Sequence, residues 1–187
     1  WPMRILLGCF IFGIIGLSLL VLTGWAGQVS LGQMGFVGLG AAIGGVATSE
    51  WGLDLSLALL VAGFAGAVAA LLVGLPALRL QGLLLSVTTF AFALSMYSYF
   101  LNRQFFDWIP TGRIERPPLF GRIDWDSPAG VYYVILAVLV LSILALGGMR
   151  SSRFGRALVA LRENEAGAQA FALRPLRLRM TAFAISG

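Results

Sequence analysis

Apolar runs long enough to cross a lipid bilayer recur along the chain, and no other feature constrains its fold as strongly. A transmembrane α-helix needs about 20 consecutive apolar residues, and its backbone groups must be hydrogen-bonded within the helix. Five such runs alternate with more polar segments, and a sixth begins near residue 178. The five cover residues 3–23, 27–49, 55–75, 82–101 and 130–149. The sequence therefore predicts an all-α, polytopic bundle of about five membrane spans plus the start of a sixth, forming a single domain over residues 1–187.

The charged residues exclude several classes of protein. Only 11% of the residues are charged, whereas soluble domains average about 25%. The chain contains neither lysine nor histidine, so it cannot form a Walker A loop, a Ser-His-Asp triad or an HExxH zinc site. We therefore expect no enzyme activity, cofactor or metal site in this chain. Its net charge of +5 comes from arginines clustered between apolar runs, which favours membrane topology over a nucleic-acid partner.

The arginines also predict how the spans are oriented. Residues 150–179 contain seven arginines, and residues 102–129 contain four arginines together with four carboxylates. Because basic residues concentrate on the cytoplasmic side of membranes, we expect a cytoplasmic loop over 150–177 and an outer loop over 102–129. Arg79 fits this orientation, whereas Arg4 falls on the outer side unless the second run re-enters the membrane without crossing it. Both topologies fit the sequence.

The sequence TGWAGQVSLGQMG, which follows the first run, is rich in glycine. It carries Gln28, Ser30 and Gln33, whose polar side chains are costly at membrane depth unless they face protein or a water-filled cavity. Glycines permit the close helix contact expected at Gly40 and Gly44, and they also permit the broken helices that transporters use at substrate sites. Two interpretations stay open: tight helix packing with amide hydrogen bonds, which these residues alone favour, and a translocation pathway.

The fourth run contains four hydroxyl side chains, Ser86, Thr88, Thr89 and Ser95. Hydroxyls in a membrane helix can bond to carbonyls of the preceding turn, so a structural use is favoured. No carboxylate lies clearly inside a run, and this argues against a proton-coupled carrier.

The basic loop has one apolar face at helical spacing and one charged face. The apolar positions are Ala157, Leu158, Leu161, Ala168 and Phe171, and the charged positions opposite them are Arg156, Arg162 and Glu163. Ser151 or Ser152 is expected to cap this helix, which is predicted over 153–171. Such a helix either lies on anionic lipid or docks into a cytoplasmic partner. Glu163 and Glu165 favour a protein groove, because anionic headgroups would repel them.

Taken together, these stretches resemble the permease subunit of branched-chain amino-acid ABC transporters. The resemblance runs from end to end, and it rests on several matches in the family's order and spacing. The matching segments are LLVLTGWAGQVSLGQMGFVGLGA at 19–41, GLPALRLQGLLLSVTTFAFA at 74–93, RPPLFGRIDWDSPAGVYYVILAVLVL at 116–141, SRFGRALVALRENEAGAQAFAL at 152–173 and RMTAFAISG at 179–187. The chain opens at Trp1 without a methionine and stops within an apolar run, so we expect a fragment that lacks the family's final helices.

The resemblance implies a set of partners. ATP would be bound and hydrolysed by a separate cytoplasmic ATP-binding subunit, and a second homologous permease subunit would complete the channel. An extracytoplasmic substrate-binding protein would deliver leucine, isoleucine, valine or a related substrate. The chain would be a multi-pass protein of a bacterial-type plasma (inner) membrane, in contact with the lipid bilayer.

The resemblance also assigns residues by matching position. Gln28, Ser30 and Gln33 match the family's Gly-Gln-x-Ser-Leu-Gly segment and would lie near the translocation pathway, with Thr88 and Thr89 as further pathway candidates. The basic loop would be the coupling loop that seats on the ATP-binding subunit. Its coupling residues would be Arg153, Gly155, Arg156, Ala157, Leu161, Arg162, Glu163 and Glu165.

The chain departs from the family pattern at three places. Ala172 replaces a glycine suited to a left-handed helix end, and Gly167 stands where alanine is expected. The outer loop is shortened around residues 110–113. These changes leave open where the coupling helix ends and what the outer loop contacts.

Two other functions compete with that of an ABC permease. An ATP-independent secondary transporter or facilitator would need a titratable group within the membrane and no docking helix, whereas the sequence shows the opposite pattern. A membrane scaffold whose loop recruits a protein would not need polar residues in the second and fourth runs, although those residues also have structural explanations.

Overall fold

Helices make up all of the regular structure that the computed structural model describes, which comprises residues 2–77, 83–102, 104–105, 128–171 and 173–187. The predicted all-α class is thereby confirmed. The predictions about Arg79, about Ala172 and about most of the outer loop 102–129 lie outside the described residues. In chain order the helices are α1 (Pro2–Leu19, continued by a π-helix over Leu20–Trp25), α2 (Gln33–Ser49), α3 (Leu55–Ala77), α4 (Leu83–Ser95, continued by a π-helix over Met96–Phe100), α5 (Pro128–Ser151), α6 (Arg153–Glu163), α7 (Glu165–Ala170) and α8 (Pro175–Ser186).

Four helices in the described part of the chain are long and apolar enough to cross a membrane. They cover Ile5–Trp25, Leu55–Pro76, Leu83–Phe100 and Ala129–Ser151, and they correspond to the first, third, fourth and fifth predicted spans. Helix α2 has only 17 residues and is not among them. The chain is therefore a helical, multi-pass membrane protein whose second predicted span is built differently from the other four.

Helices α1 and α5 run side by side in the same direction. The rings of Phe10, in the first half of α1 with its π-helical continuation, and Tyr132, near the start of α5, lie 5.3 Å apart at their centroids. At the other end, the guanidinium carbon of Arg150 lies 6.0 Å from the ring centroid of Trp25. Helix α6 follows α5 directly, so the ends of α1 and α5 mark what we call the α6 end of the bundle. The start of α1 lies at the opposite end, and Arg4 therefore remains an exception to the positive-inside pattern.

Segment 26–32 and α2 carry the chain from the α6 end back to the opposite end. Helix α8 starts beside α7, at the α6 end, and runs antiparallel to α3, because Gly74 contacts Phe183 while Gly66, earlier in α3, approaches Gly187. Helix α3 therefore runs toward the α6 end, and α2, joined to α3 by a short turn, runs away from it. The second predicted span thus crosses the bundle rather than entering and leaving at one end.

Glycines allow α2 to approach both of its neighbours closely. A Cβ atom at Gly44 would lie 3.5 Å from the Cβ of Ala62 in α3, and one at Gly40 would lie 3.9 Å from the carbonyl oxygen of the same residue. The close contact predicted at these two glycines is therefore observed. On the other side, a Cβ at Gly35 would lie only 3.0 Å from the Cα of Ala93 in α4, a spacing that only glycine accommodates without a shift.

The buried core lies at the α6 end of the bundle. It joins side chains from α1, the segment after it, α2, α3, α4, α6 and α8. These are Val21, Leu22, Trp25, Ala26, Phe36, Ala69, Ala70, Leu85, Leu158, Ala182 and Phe183. Leu158 of α6 is fully buried among them, so α6 is packed against the spans rather than free in solvent.

The prediction of one continuous amphipathic helix over 153–171 is wrong in one respect, because the structure has two helices there that meet at Asn164. This residue has an extended backbone (φ −149°, ψ 96°), and its side-chain oxygen accepts a hydrogen bond of 2.8 Å from the Gly167 N–H, so it ends α6 and caps α7. A Cβ at Gly167 would lie 3.1 Å from the Asn164 side chain, which explains a glycine there. Phe171, predicted on the apolar face, is 85% exposed. The predicted cap is correct for Ser152, whose hydroxyl accepts from the Gly155 N–H at 3.4 Å.

We expect Leu158→Ala to lower the free energy of unfolding by about 2–5 kcal/mol, because it leaves a cavity in the core where α6 meets the spans. The thermal unfolding midpoint of the protein in detergent checks this. Leu60→Ala is the matched control, since Leu60 is 70% exposed, and its effect should stay within about 0.5 kcal/mol. Equal effects of the two substitutions would show that α6 is not packed as the structure has it.

Candidate functional site

The second predicted span is helical only from Gln33 onward, and its irregular first part, residues 27–32, is the break around which the predicted pathway residues gather. The chain leaves the helix after Trp25, turns at Gly27 with a φ of +67°, and stays irregular until α2 begins at Gln33. Glycine adopts this left-handed conformation without strain. Backbone bonds from the Ala26 and Gln28 N–H groups back into the π-helical end of α1, at 3.1 and 3.0 Å, fix the turn.

Helix α4 supplies hydroxyl groups to the irregular backbone. The Ser86 hydroxyl donates to the Val29 carbonyl at 3.0 Å, and the Thr89 hydroxyl accepts from the Leu31 N–H at 3.0 Å. Thr89 is fully buried, and its own proton goes to the Ser86 carbonyl at 3.0 Å. A Cβ at Gly32 would lie 2.9 Å from the Thr89 carbonyl oxygen, so a glycine is needed for the segment to lie this close to α4. The two hydroxyls thus replace helical bonds that the break removes.

A buried amide joins three helices just beyond the break. Gln33 is 6% exposed, and its Nε2 donates to the Ser186 hydroxyl at 2.7 Å and lies 3.3 Å from the Ser186 carbonyl. The same nitrogen also contacts the Ser18 hydroxyl of α1, which in turn donates to the Ser186 carbonyl at 2.5 Å. Sequence reasoning missed both serines, because a single hydroxyl in an apolar run carries no signal of a partner more than 150 residues away.

The Gln33 network lies between two clefts of about 360 Å³ each. Ile14, Ser18 and Ser186 line both, and Gln33 lines one of them. The side-chain oxygens of Gln28 and Gln33 are buried and have no hydrogen-bond partner among the described residues. The clefts combine apolar walls with the polar groups of Ser18, Gln33 and Ser186, as small-molecule sites do.

The structure brings together four of the five predicted pathway residues. Gln28, Ser30, Gln33 and Thr89 are all buried at the break or beside it. The Ser30 hydroxyl accepts from the Gly32 N–H at 3.3 Å. Thr88 is set apart, because it is only half-buried and its hydroxyl donates to the Leu84 carbonyl of its own helix at 2.8 Å.

Four of the predicted coupling residues contact the rest of the chain. Gly155 and Leu161 are buried, and a Cβ at Gly155 would lie 2.7 Å from the Arg150 carbonyl oxygen, so this glycine permits the tight junction of α5 and α6. Glu165 forms an ion pair of 2.9 Å with Arg179 of α8. The fourth residue is Arg162, which contacts Gly24 and Gly27 at the start of the irregular segment.

Arg162 connects α6 to the break. Its guanidinium donates to the carbonyl of Gly24, in the π-helical end of α1. Its aliphatic stem lies across Gly27, where an added Cβ would meet the Arg162 Cγ at 2.9 Å. The side chain therefore contacts the chain on both sides of the turn where the first span ends.

The other predicted coupling residues leave α6 partly open to a partner. Arg153, Arg156 and Glu163 are exposed, and Ala157 is half-buried. Arg156 also donates to the carbonyl of Ser151, which orients it along the start of the helix. These side chains form a charged outer face on a helix whose inner face is packed.

Comparison with known proteins gives a single family. Residues 2–187 match the family model described as branched-chain amino acid transport system, permease component. The chain is 31% identical over 217 aligned positions to the high-affinity branched-chain amino acid transport system permease protein LivM of Escherichia coli K12, and equally to the protein of that name from Salmonella typhimurium LT2. All of the chain is covered, and it spans about half (51%) of the length of these relatives. No solved structure matches the chain.

We expect Thr89→Val to destabilise the protein by about 1–3 kcal/mol, because it leaves the part-buried Leu31 N–H without its acceptor. Thr88→Val is the matched control: the same change is made one residue away, on a hydroxyl that bonds only within its own helix, and should cost about 0.5 kcal/mol or less. Thermal unfolding in detergent measures both. If the two variants unfold at the same temperature, the hydroxyl of Thr89 does not hold the broken span.

Proposed function

The chain belongs to the permease family of branched-chain amino acid transport systems, and from this we propose that it is the membrane permease subunit of an ABC importer. It would move branched-chain or related amino acids across a bacterial-type plasma membrane with energy from ATP hydrolysed by another subunit. The match of residues 2–187 to the permease family carries the proposal. The relatives' printed names supply the substrate class.

The residue content supports placing ATP hydrolysis on a separate subunit. The chain has no lysine with which to hold nucleotide phosphates in a Walker A loop. We therefore assign no cofactor to this chain and assign ATP to a cytoplasmic partner. A second homologous permease subunit and an extracytoplasmic substrate-binding protein complete the proposed assembly.

The outer face of α6 is the part of the chain that we assign to the ATP-binding subunit. Arg153, Arg156 and Glu163 are exposed there, on a helix whose inner face is fixed by buried Leu158 and Leu161. A partner that pushes or pulls on this face would move the helix together with the ends of the spans. With the positive-inside rule, this end of the bundle is cytoplasmic.

The clefts beside Gln33 are the part of the chain that we assign to the pathway. Their walls are mostly aliphatic, which suits the side chain of leucine, isoleucine or valine. The amide of Gln33 and the hydroxyls of Ser18 and Ser186 offer polar groups to the rest of such a substrate. No ionisable residue is needed for this role, in agreement with an importer that takes its energy from ATP.

Uptake in proteoliposomes tests the proposal. The complete permease, its ATP-binding subunits and its binding protein are reconstituted, and uptake of radiolabelled leucine, isoleucine and valine is followed with and without ATP inside. We expect uptake only with ATP. ATP-independent uptake would instead support a facilitator, and no uptake of any of the three would remove the substrate assignment.

We expect Arg156→Glu to lower ATP-dependent uptake by about 10-fold or more, because it reverses a charge on the face that we assign to the ATP-binding subunit. Arg174→Glu is the control, since Arg174 is exposed on the same loop but outside α6. Co-purification of the ATP-binding subunit should fall for the first variant and not for the second. Loss of neither uptake nor co-purification would contradict the assignment of α6.

A further inference from the structure

We propose that Arg162 is a latch that transmits movement of α6 to the broken span, and that it does not act as a contact for the ATP-binding subunit. The inference rests on the proposed function for what moves α6. The contacts that define the latch belong to this chain alone. Arg162 is thus a positioning residue, acting on the translocation pathway through segment 26–32.

The first contact of the latch is with the end of the first span. The last carbonyls of a helix have no partner within it and form the negative end of its dipole. The Gly24 carbonyl lies in this position, and the Arg162 guanidinium donates to it. A guanidinium suits the site because it is a permanently charged, planar donor.

The second contact lies on the other side of the turn. Gly27, with its φ of +67°, has no side chain, and the Arg162 stem occupies the space where one would be. A Cβ there would lie 2.9 Å from the Cγ and 3.5 Å from the Cβ and Cδ of Arg162. Arg162 therefore contacts both Gly24, before the turn, and Gly27, at the turn.

Burial makes α6 and the end of the first span move together. Leu158 and Leu161 of α6 are 0% and 2% exposed, and Leu158 packs in one cluster with Val21 and Leu22 of the π-helical end of α1. A displacement of α6 must therefore carry this end with it or open the core. Arg162 extends that rigid connection from the helix end to the irregular segment.

Beyond Gly27, the segment is held by side-chain hydrogen bonds that can change partners. Val29 and Leu31 are bonded to Ser86 and Thr89 by one hydrogen bond each, and beyond them Gln33 bonds to serines of α1 and α8. Neutral hydrogen bonds of this kind are individually weak. A pull at Gly27 would therefore be released at these bonds, of which those of Gln33 lie beside the two clefts, before it broke the packed core.

The latch is tested with Arg162→Ala and Arg162→Lys in the complete transporter. We expect Arg162→Ala to keep the ATP-binding subunit bound and ATP hydrolysis within about 2-fold of wild type, while uptake falls about 10-fold, which is a barrier increase near 1.4 kcal/mol. Arg162→Lys should restore part of the uptake, because it keeps a charged donor for the Gly24 carbonyl. Loss of the ATP-binding subunit from Arg162→Ala would show a partner contact and overturn the latch, as would unchanged uptake.

A pair of glycines provides the matched control. Gly27 and Gly52 have nearly the same φ, +67° and +60°, so alanine strains the backbone at both. Only at Gly27 would the added Cβ meet Arg162, since nothing lies within 4 Å of the corresponding position at Gly52. We expect Gly27→Ala to reduce uptake more than Gly52→Ala does in the wild type, and to have only the effect of Gly52→Ala in the Arg162→Ala background. Equal effects of the two glycine substitutions, or full additivity with Arg162→Ala, would contradict the latch.

A readout that needs no transport separates failure of the latch from failure of the proposed function. Hydrogen exchange of the peptide covering segment 26–32 is measured on the permease in detergent. Arg162→Ala should accelerate it, whereas Arg174→Ala, another exposed arginine of the same loop, should not. Unchanged exchange in Arg162→Ala overturns the latch even if ATP-dependent uptake is found. Faster exchange supports it even if the substrate assignment fails.

Discussion

Backbone groups that leave a helix inside a packed bundle must find other hydrogen-bond partners, and the arrangement of this bundle follows from how that need is met at segment 26–32. Ser86 and Thr89 of α4 bond to the segment from one side, and Arg162 of α6 covers the turn from another. Both helices must therefore lie against the break. The buried core sits at the same place, and Trp25 and Ala26 at the start of the irregular segment belong to it.

The glycine pattern of the second span is explained by this arrangement. Gly27 allows the turn, Gly32 allows the segment to touch Thr89, and Gly35 brings α2 onto α4. A side chain at the last two positions would push α2 away from the hydroxyls that satisfy the segment. The two interpretations of the sequence, close packing and a broken pathway helix, are thus compatible, because close packing is what makes the break possible.

Sequence reasoning recovered the parts of the fold that depend on length and hydropathy. Four long helices follow from apolar runs whose composition leaves no alternative in lipid. The end of α6 was missed because the apolar spacing continues past Asn164, and a periodicity argument does not register that one side chain can cap a new helix. Resemblance marked Arg162 and Leu161 as coupling residues but carried no information on which way they face. The Ser18–Gln33–Ser186 contact depends on tertiary packing between distant segments, which no local pattern encodes.

The most direct test of the link between α6 and segment 26–32 is to solve two structures of the complete transporter, one without nucleotide and one with ATP bound. The positions of α6 and of the segment are then compared between them. If the latch and the packing described above operate, α6 and segment 26–32 shift together, and the segment changes its hydrogen bonds to Ser86 and Thr89. A structure pair in which α6 moves while the segment keeps its place on α4 would contradict the link.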